Sequence, residues 1–155
     1  MLLQVIARPD AQLIAAAARD SRRAELMAAR IAGWALIGAS VVLGDPLNYP
    51  LLLAGIVVAL LLPVLWVGLA VRSSSAEPET TYEITDAGVA HSTVHSRHAY
   101  TWETLSRVTK LPGQVVFGVG GGRFLPMPTA GLTAWQVEEV LSAASTAGLP
   151  VRRAL

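Results

Sequence analysis

The sequence predicts an α+β membrane protein, a two-helix transmembrane hairpin followed by a small antiparallel β-sheet or partial barrel capped by one helix. Three observations carry that reading. Residues 1–30 hold five arginines and three acids, residues 31–71 hold Asp45 alone, and residues 72–155 hold seven charges of each sign. Beyond residue 78 the apolar residues recur at a period of two, as in half-buried strands, before a last stretch at helical spacing. Composition agrees: of 155 residues, 53% are hydrophobic and 15% charged, with a mean hydropathy of +0.50, whereas soluble domains carry about 25% charge.

The same numbers exclude several classes. Disordered chains combine low hydrophobicity with high net charge, and here the formal net charge is +1. Twelve basic against eleven acidic residues supply no chain-wide field for a polyanion, so no nucleic-acid partner is expected. With no cysteine, disulfide frameworks, thiolate zinc sites and cysteine nucleophiles drop out together.

Residues 1–25 read as an N-terminal arm and cytosolic helix. MLLQVIARP reads as a short strand or extended arm ending at Pro9, Asp10 is an N-cap, and AQLIAAAARDSRRAELMAAR is built of strong helix formers. This predicts a helix running unbroken into the membrane as a stalk. An amphipathic surface helix ranks below it, because its apolar face would be mostly alanine.

Residues 26–71 form the predicted hairpin, with spans at 26–44 and 51–71. The second run, LLLAGIVVALLLPVLWVGLAV, is twenty-one residues without a charge. At about 1.5 Å per residue it extends roughly 31 Å, close to the ~30 Å hydrocarbon core. A chain of this size cannot easily surround a helix apolar on every side, which argues against a soluble core helix. Pro63 is expected to free the Ala59 carbonyl, a cost that membrane helices tolerate. The first run, residues 31–44, is short, and reaches span length from residue 26 when Arg30 snorkels to the headgroups. Thirty residues precede it and no small-residue cleavage pattern follows, which disfavours a secretory signal. In GDPLNYP, Asp45, Pro46 and Pro50 interrupt the helices as a tight turn.

Orientation follows from the flanks. Arg22, Arg23 and Arg30 precede the first span, Arg72 follows the second, and the turn holds no basic residue, so both termini are expected to face the cytoplasm of the inner membrane. Trp34 and Trp66 fall toward one leaflet and Tyr49 at the opposite surface. Arg30, Trp34, Tyr49, Trp66 and Arg72 are therefore the expected membrane-interface anchors. Ala35/Ala39 and Gly55/Ala59, small residues at i, i+4, offer a close approach between the helices.

Residues 72–78, with Ser73 to Pro78, read as a polar linker, and residues 79–150 as the C-terminal domain. Tyr82 and Ile84 alternate with polar residues, Asp86-Ala87-Gly88 turns the chain, and Val89 to Val94 returns. His98, Tyr100 and Trp102 share a face of a third strand. Ser106 to Leu111 is a fourth, stopped by Pro112-Gly113. Val115, Phe117 and Val119 mark a fifth, and Gly120-Gly121-Gly122 turns it into a sixth, Arg123 to Met127. Thr133-Ala134-Trp135-Gln136 fits a capping box, after which Trp135, Val140, Leu141 and Ala144 recur at helical spacing until Gly148 and Pro150.

TYEITDAGV, Tyr100-Thr101-Trp102 leading into SRVTK, then QVVFGV, a turn, RFLPMP and a terminal helix together resemble the C-terminal domain of YcxB-like proteins. Those are small bacterial membrane proteins in which two transmembrane helices precede a cytosolic domain similar to bacterial pleckstrin-homology (PH-like) folds. The resemblance covers residues 1–150 in layout and rests on residues 80–148 in motif. It implies the fold and the membrane setting, and brings no catalytic residues with it.

Candidate chemistry is sparse. His91, His95 and His98 suggest a three-imidazole zinc site, but strand alternation does not enforce their convergence, and exposed hairpin histidines are the favoured reading. Gly118 to Gly122 invites a phosphate loop, yet RFL reads as a strand where such a loop must open a helix. Glu138-Glu139 project about 100° apart on a helix, which is not an acid/base pair. No G-x-S-x-G elbow accompanies the serines. Arg72 near the membrane, together with Arg97 and Arg107, could touch anionic lipid by proximity.

The expectation is a non-enzymatic membrane-anchored binding or regulatory module, with no cofactor and no metal. Its partners are the lipid bilayer and a protein on the cytosolic side. The alternative is a homo-oligomeric transport or pore component assembled from several hairpins.

Overall fold

The computed structural model describes residues 2–43, 47–75 and 79–154. Gly44, Asp45 and Pro46 of the predicted turn, and Ala76 to Pro78 of the predicted linker, lie outside the described residues.

The N-terminal stretch is a strand of the C-terminal domain. β1 (Leu2–Ala7) pairs antiparallel with β2 (Thr80–Thr85) over its whole length, Leu2 opposite Thr85 and Ala7 opposite Thr80. Its alternation buries Val5 and leaves Ile6 exposed. β3 (Gly88–Ser92) and β4 (Arg97–Thr101) complete a sheet of order β1-β2-β3-β4. The second sheet has order β7-β6-β5-β8, from β5 (Leu105–Leu111), β6 (Gln114–Val119), β7 (Arg123–Pro128) and β8 (Val151–Arg153), the last parallel to β5. The six strands expected between residues 80 and 127 are present. β8 is an addition, too short to announce itself by alternation.

Both sheets feed one core, in which Ile84, Val89, Val108, Val115, Phe117 and Met127 are essentially inaccessible. Helix α5 (Ala134–Thr146) closes it with Val137, Val140, Leu141 and Ala144, an i, i+3, i+4, i+7 stripe. Trp135, expected on that stripe, lies outside it and is 71% exposed. The capping box is formed: the Thr133 hydroxyl accepts from the Gln136 amide at 3.2 Å, and the Gln136 side chain accepts from the Thr133 amide at 2.9 Å. Gly121 and Gly122 take φ of +79° and +74°, the left-handed conformation that the β6–β7 turn requires.

Trp102 corrects another expectation. It leaves the face shared by His98 and Tyr100, enters a 3₁₀ turn (Trp102–Thr104), and is buried against Phe117 with its indole N–H donating to the Asp86 carbonyl at 3.1 Å. A large indole at a sheet corner is stabilised by burial together with a partner for its one donor.

Between β1 and β2 the chain makes its helical excursion. α1 (Ala11–Ser21) starts at Asp10, whose carboxylate accepts from the Gln12 amide at 2.8 Å. The helix then breaks at Arg22 (φ −109°, ψ 21°), so the unbroken stalk is not formed, and α2 (Arg23–Val42) begins afresh. α3 (Tyr49–Ile56), a π-helical segment (Val57–Leu61) and α4 (Leu62–Ser75) return as one continuous path. Arg72 and Ser73 are thus helical rather than linker. Pro50 lies in the first turn of α3, where its missing N–H costs nothing, and the Asn48 side chain caps that turn. The π-helical segment ends two residues before Pro63, and the Leu62 amide donates to the Val57 carbonyl. One extra residue per turn there shifts backbone away from the proline ring, a local adjustment of the kind that lets membrane helices carry proline.

Two helices, Arg23–Val42 and Tyr49–Ser73, are long and apolar enough to cross a membrane, and only 11% and 17% of their most apolar windows is buried. They cross at Gly33 and Ala59. A Cβ at Gly33 would come within 2.5 Å of both the Ala59 Cβ and its backbone nitrogen, and one at Gly55 within 2.9 Å of the Gly33 carbonyl. Gly55/Ala59 therefore do form the close face on the second helix. On the first helix Gly33 and buried Ser40 occupy it, while Ala35 is exposed.

α1 joins the hairpin to the sheets. Ile14, Ala17 and Ala18 are buried. The buried Gln114 amide donates to the Leu13 carbonyl at 2.8 Å, Arg107 donates to the Ser21 carbonyl at 3.0 Å, and Arg152 pairs with Asp20 at 3.2 Å.

Candidate functional site

Where α1, the last turns of α4, and β2 to β4 meet the β7 edge, the chain encloses a cleft of about 720 Å³. This is within the range of sites that hold small ligands or peptide side chains. Leu13, Trp66 and Leu69 line its helical wall, and Tyr82, His91 and Tyr100 its sheet wall. Arg8, Arg22 and Arg123 add positive charge to the lining.

The sheet wall is a stack. His91 and His98 are directly opposed across β3 and β4, with ring centroids 5.3 Å apart. The His91 ring also lies 6.0 Å from Tyr100, nearly parallel at 10°. Tyr82 anchors the floor, its hydroxyl donating to the Pro126 carbonyl at 2.8 Å. Imidazoles stacked face to face present aromatic surface, and ligating nitrogens converging on one point would require a different arrangement. His95 stands apart in the β3–β4 turn, and among the described residues no three His, Cys, Asp or Glu side chains are placed to hold a metal ion. Gln114, also in the lining, is fully buried, and its Oε1 has no hydrogen-bond partner among the described residues.

The five residues expected as anchors are distributed unevenly. Tyr49 is 68% and Trp34 63% exposed. Trp34 stands one residue past the Gly33–Ala59 crossing, while Trp66 lies seven residues beyond Ala59, roughly 10 Å nearer the sheets. Trp66 takes the Arg22 guanidinium over its ring at 6.0 Å, so it helps to join the helix break to α4. Arg72 is exposed in the last turn of α4, where a cation complements the helix dipole. Arg30 is exposed on α2, in line with Arg23.

Two arginines expected near lipid are otherwise engaged, since Arg97 pairs with Glu83 at 2.8 Å and Arg107 holds α1. Glu138, read in the sequence only as no acid/base partner of Glu139, bridges Lys110 at 2.8 Å and Arg153 at 2.7 Å. The hydrogen bond from Lys110 first, and that from Arg153 second, hold its carboxyl below the usual glutamate value. The sequence reading missed the Arg22–Trp66 contact and the role of Gln114, because both depend on elements far apart in the chain. It also passed over Arg19, Arg23 and Arg30 as a set, although their spacing of four and seven was visible.

No family model, curated protein or solved structure matches the chain.

Proposed function

We propose that this is an inner-membrane protein of the YcxB-like kind, whose hairpin spans the bilayer and holds a PH-like domain at the cytoplasmic face as a binding or regulatory module. The observation that carries the proposal is the exposure of the two apolar helices. Ile31, Val42, Leu53, Leu60, Val64 and Leu69 are all more than half exposed, although the sheets and α5 already close a core of their own. Such a surface is stable in hydrocarbon and costly in water.

The β1–β2 pairing supports a common side for both ends of the hairpin, because Ala7 and Thr80 are cross-strand neighbours. The arginines of the first helix and Arg72 of the second, set against a basic-free turn, favour the cytoplasm for that side. The cleft at the junction is where a protein partner would sense both membrane helices and domain. A binding role is favoured there by the stacking of His91 with His98 and Tyr100.

Crosslinking in intact membranes from photoreactive residues at exposed His98 tests the reading. Heterologous adducts are expected. A ladder of homo-oligomers together with ion leakage would point instead to a pore, and turnover abolished by His91→Ala or His98→Ala would reveal an enzyme.

A further inference from the structure

A second concavity, of about 840 Å³, lies on the membrane side of the helix break, lined by Arg19, Arg23 and Arg30 on one wall and by Pro63, Val64, Val67 and Gly68 on the other. We infer that this groove seats one anionic phospholipid, its headgroup held within the Arg19–Arg23–Arg30 line and an acyl chain lying along the α4 wall. This rests on the membrane reading above and adds the ligand.

Arg23, Met27 and Arg30 recur at i, i+4 and i+7 and so share a face of α2, and Arg19 continues the line across the break at Arg22. The three arginines are exposed, and none makes an ion pair among the described residues. Asp20, the one acid in the lining, is taken by Arg152 at 3.2 Å. Three guanidinium groups in one groove repel each other, and a phosphodiester accepts several of their forked N–H groups at once.

Depth matches a lipid. Counting from the Gly33–Ala59 crossing puts Arg30 level with Leu62, next to Pro63 of the groove wall, and the seven residues from Arg30 back to Arg23 cover roughly 10 Å. The basic stripe therefore passes from the hydrocarbon edge to the headgroups, against an α4 wall with no charge. Basic pockets between transmembrane helices on the cytoplasmic side suit anionic headgroups. Gly68 leaves a notch in that wall, since a Cβ there would meet nothing within 4 Å.

The full-length protein, reconstituted in phosphatidylcholine vesicles, is titrated with spin-labelled phosphatidylglycerol or spin-labelled phosphatidylcholine. A preference for phosphatidylglycerol on the order of tenfold is expected. Arg19→Gln/Arg23→Gln/Arg30→Gln brings it close to parity, and Arg72→Gln/Arg97→Gln keeps it. Gly68→Trp, which fills the notch and spares every charge, also brings it close to parity. Parity in the unaltered protein, or a preference surviving either the triple replacement or Gly68→Trp, overturns the inference, as does displacement by inorganic phosphate, which would mark a soluble-anion site. Flotation with the vesicles is read on the same samples. Protein that floats but shows parity loses only the lipid seat, whereas protein that does not float loses the membrane reading and the seat with it.

Discussion

Phe117 is fully buried beside Trp102, in the core that both sheets and α5 share. Phe117→Ala should destabilise the domain by about 3–5 kcal/mol, the cost of lost transfer plus the cavity left behind, read by denaturant unfolding in detergent. Gly33 sets a different limit, because an added methyl would meet the Ala59 backbone nitrogen, whereas at Gly38 it would meet nothing within 4 Å. Gly33→Ala should therefore cost roughly 1–3 kcal/mol by overpacking, and Gly38→Ala should leave the melting temperature unchanged or slightly raised. Equal effects would show that the helices do not cross there. For Glu138 the sign follows from its lowered folded-state pKa: its contribution is present above the ordinary value of 4.5 and is lost as pH falls through the folded value. The melting difference between the unaltered protein and Glu138→Gln should accordingly shrink on acidification, by a modest amount since Glu138 and its two cationic partners are exposed to solvent screening.

At the scale of elements, β1 completes a sheet whose next strand lies beyond the whole helical excursion. Val5→Asp, which puts a charge into a core position 5% exposed, should lower the melting temperature of the sheet domain although residue 5 precedes both long apolar helices in sequence. Indifference to Val5→Asp would contradict the pairing. This is also where the sequence was least legible. Strands β2 to β7 and α5 are joined by short turns, so alternation, glycine turns and the Thr133–Gln136 box expose them locally. β1 shows only a brief alternation, Leu3-Gln4-Val5, and its partner is some eighty residues away, a distance that no local pattern encodes. Arg22 carries no glycine or proline to announce the break between α1 and α2. The cleft was illegible for the same reason, since its wall combines Trp66 from α4 with Tyr82 and Tyr100 from a sheet that the sequence shows only as separate strands.

For the whole molecule, α1 fixes how the hairpin meets the domain. Leu13, Ser21 and Asp20 receive bonds from Gln114, Arg107 and Arg152, all on the second sheet. On the proposed reading, a partner bound in the cleft would touch helices and sheets at once, and regulation is expected to act at that junction. That logic holds only if the hairpin lies across a bilayer with the sheets on one side. The native chain has no cysteine, so Asn48→Cys and Ser73→Cys each introduce a single thiol at opposite ends of the second helix. Labelling intact spheroplasts with a membrane-impermeant maleimide should modify Asn48→Cys directly and Ser73→Cys only after lysis. Equal labelling of both before lysis, or recovery of the protein in the high-speed supernatant, would contradict the account.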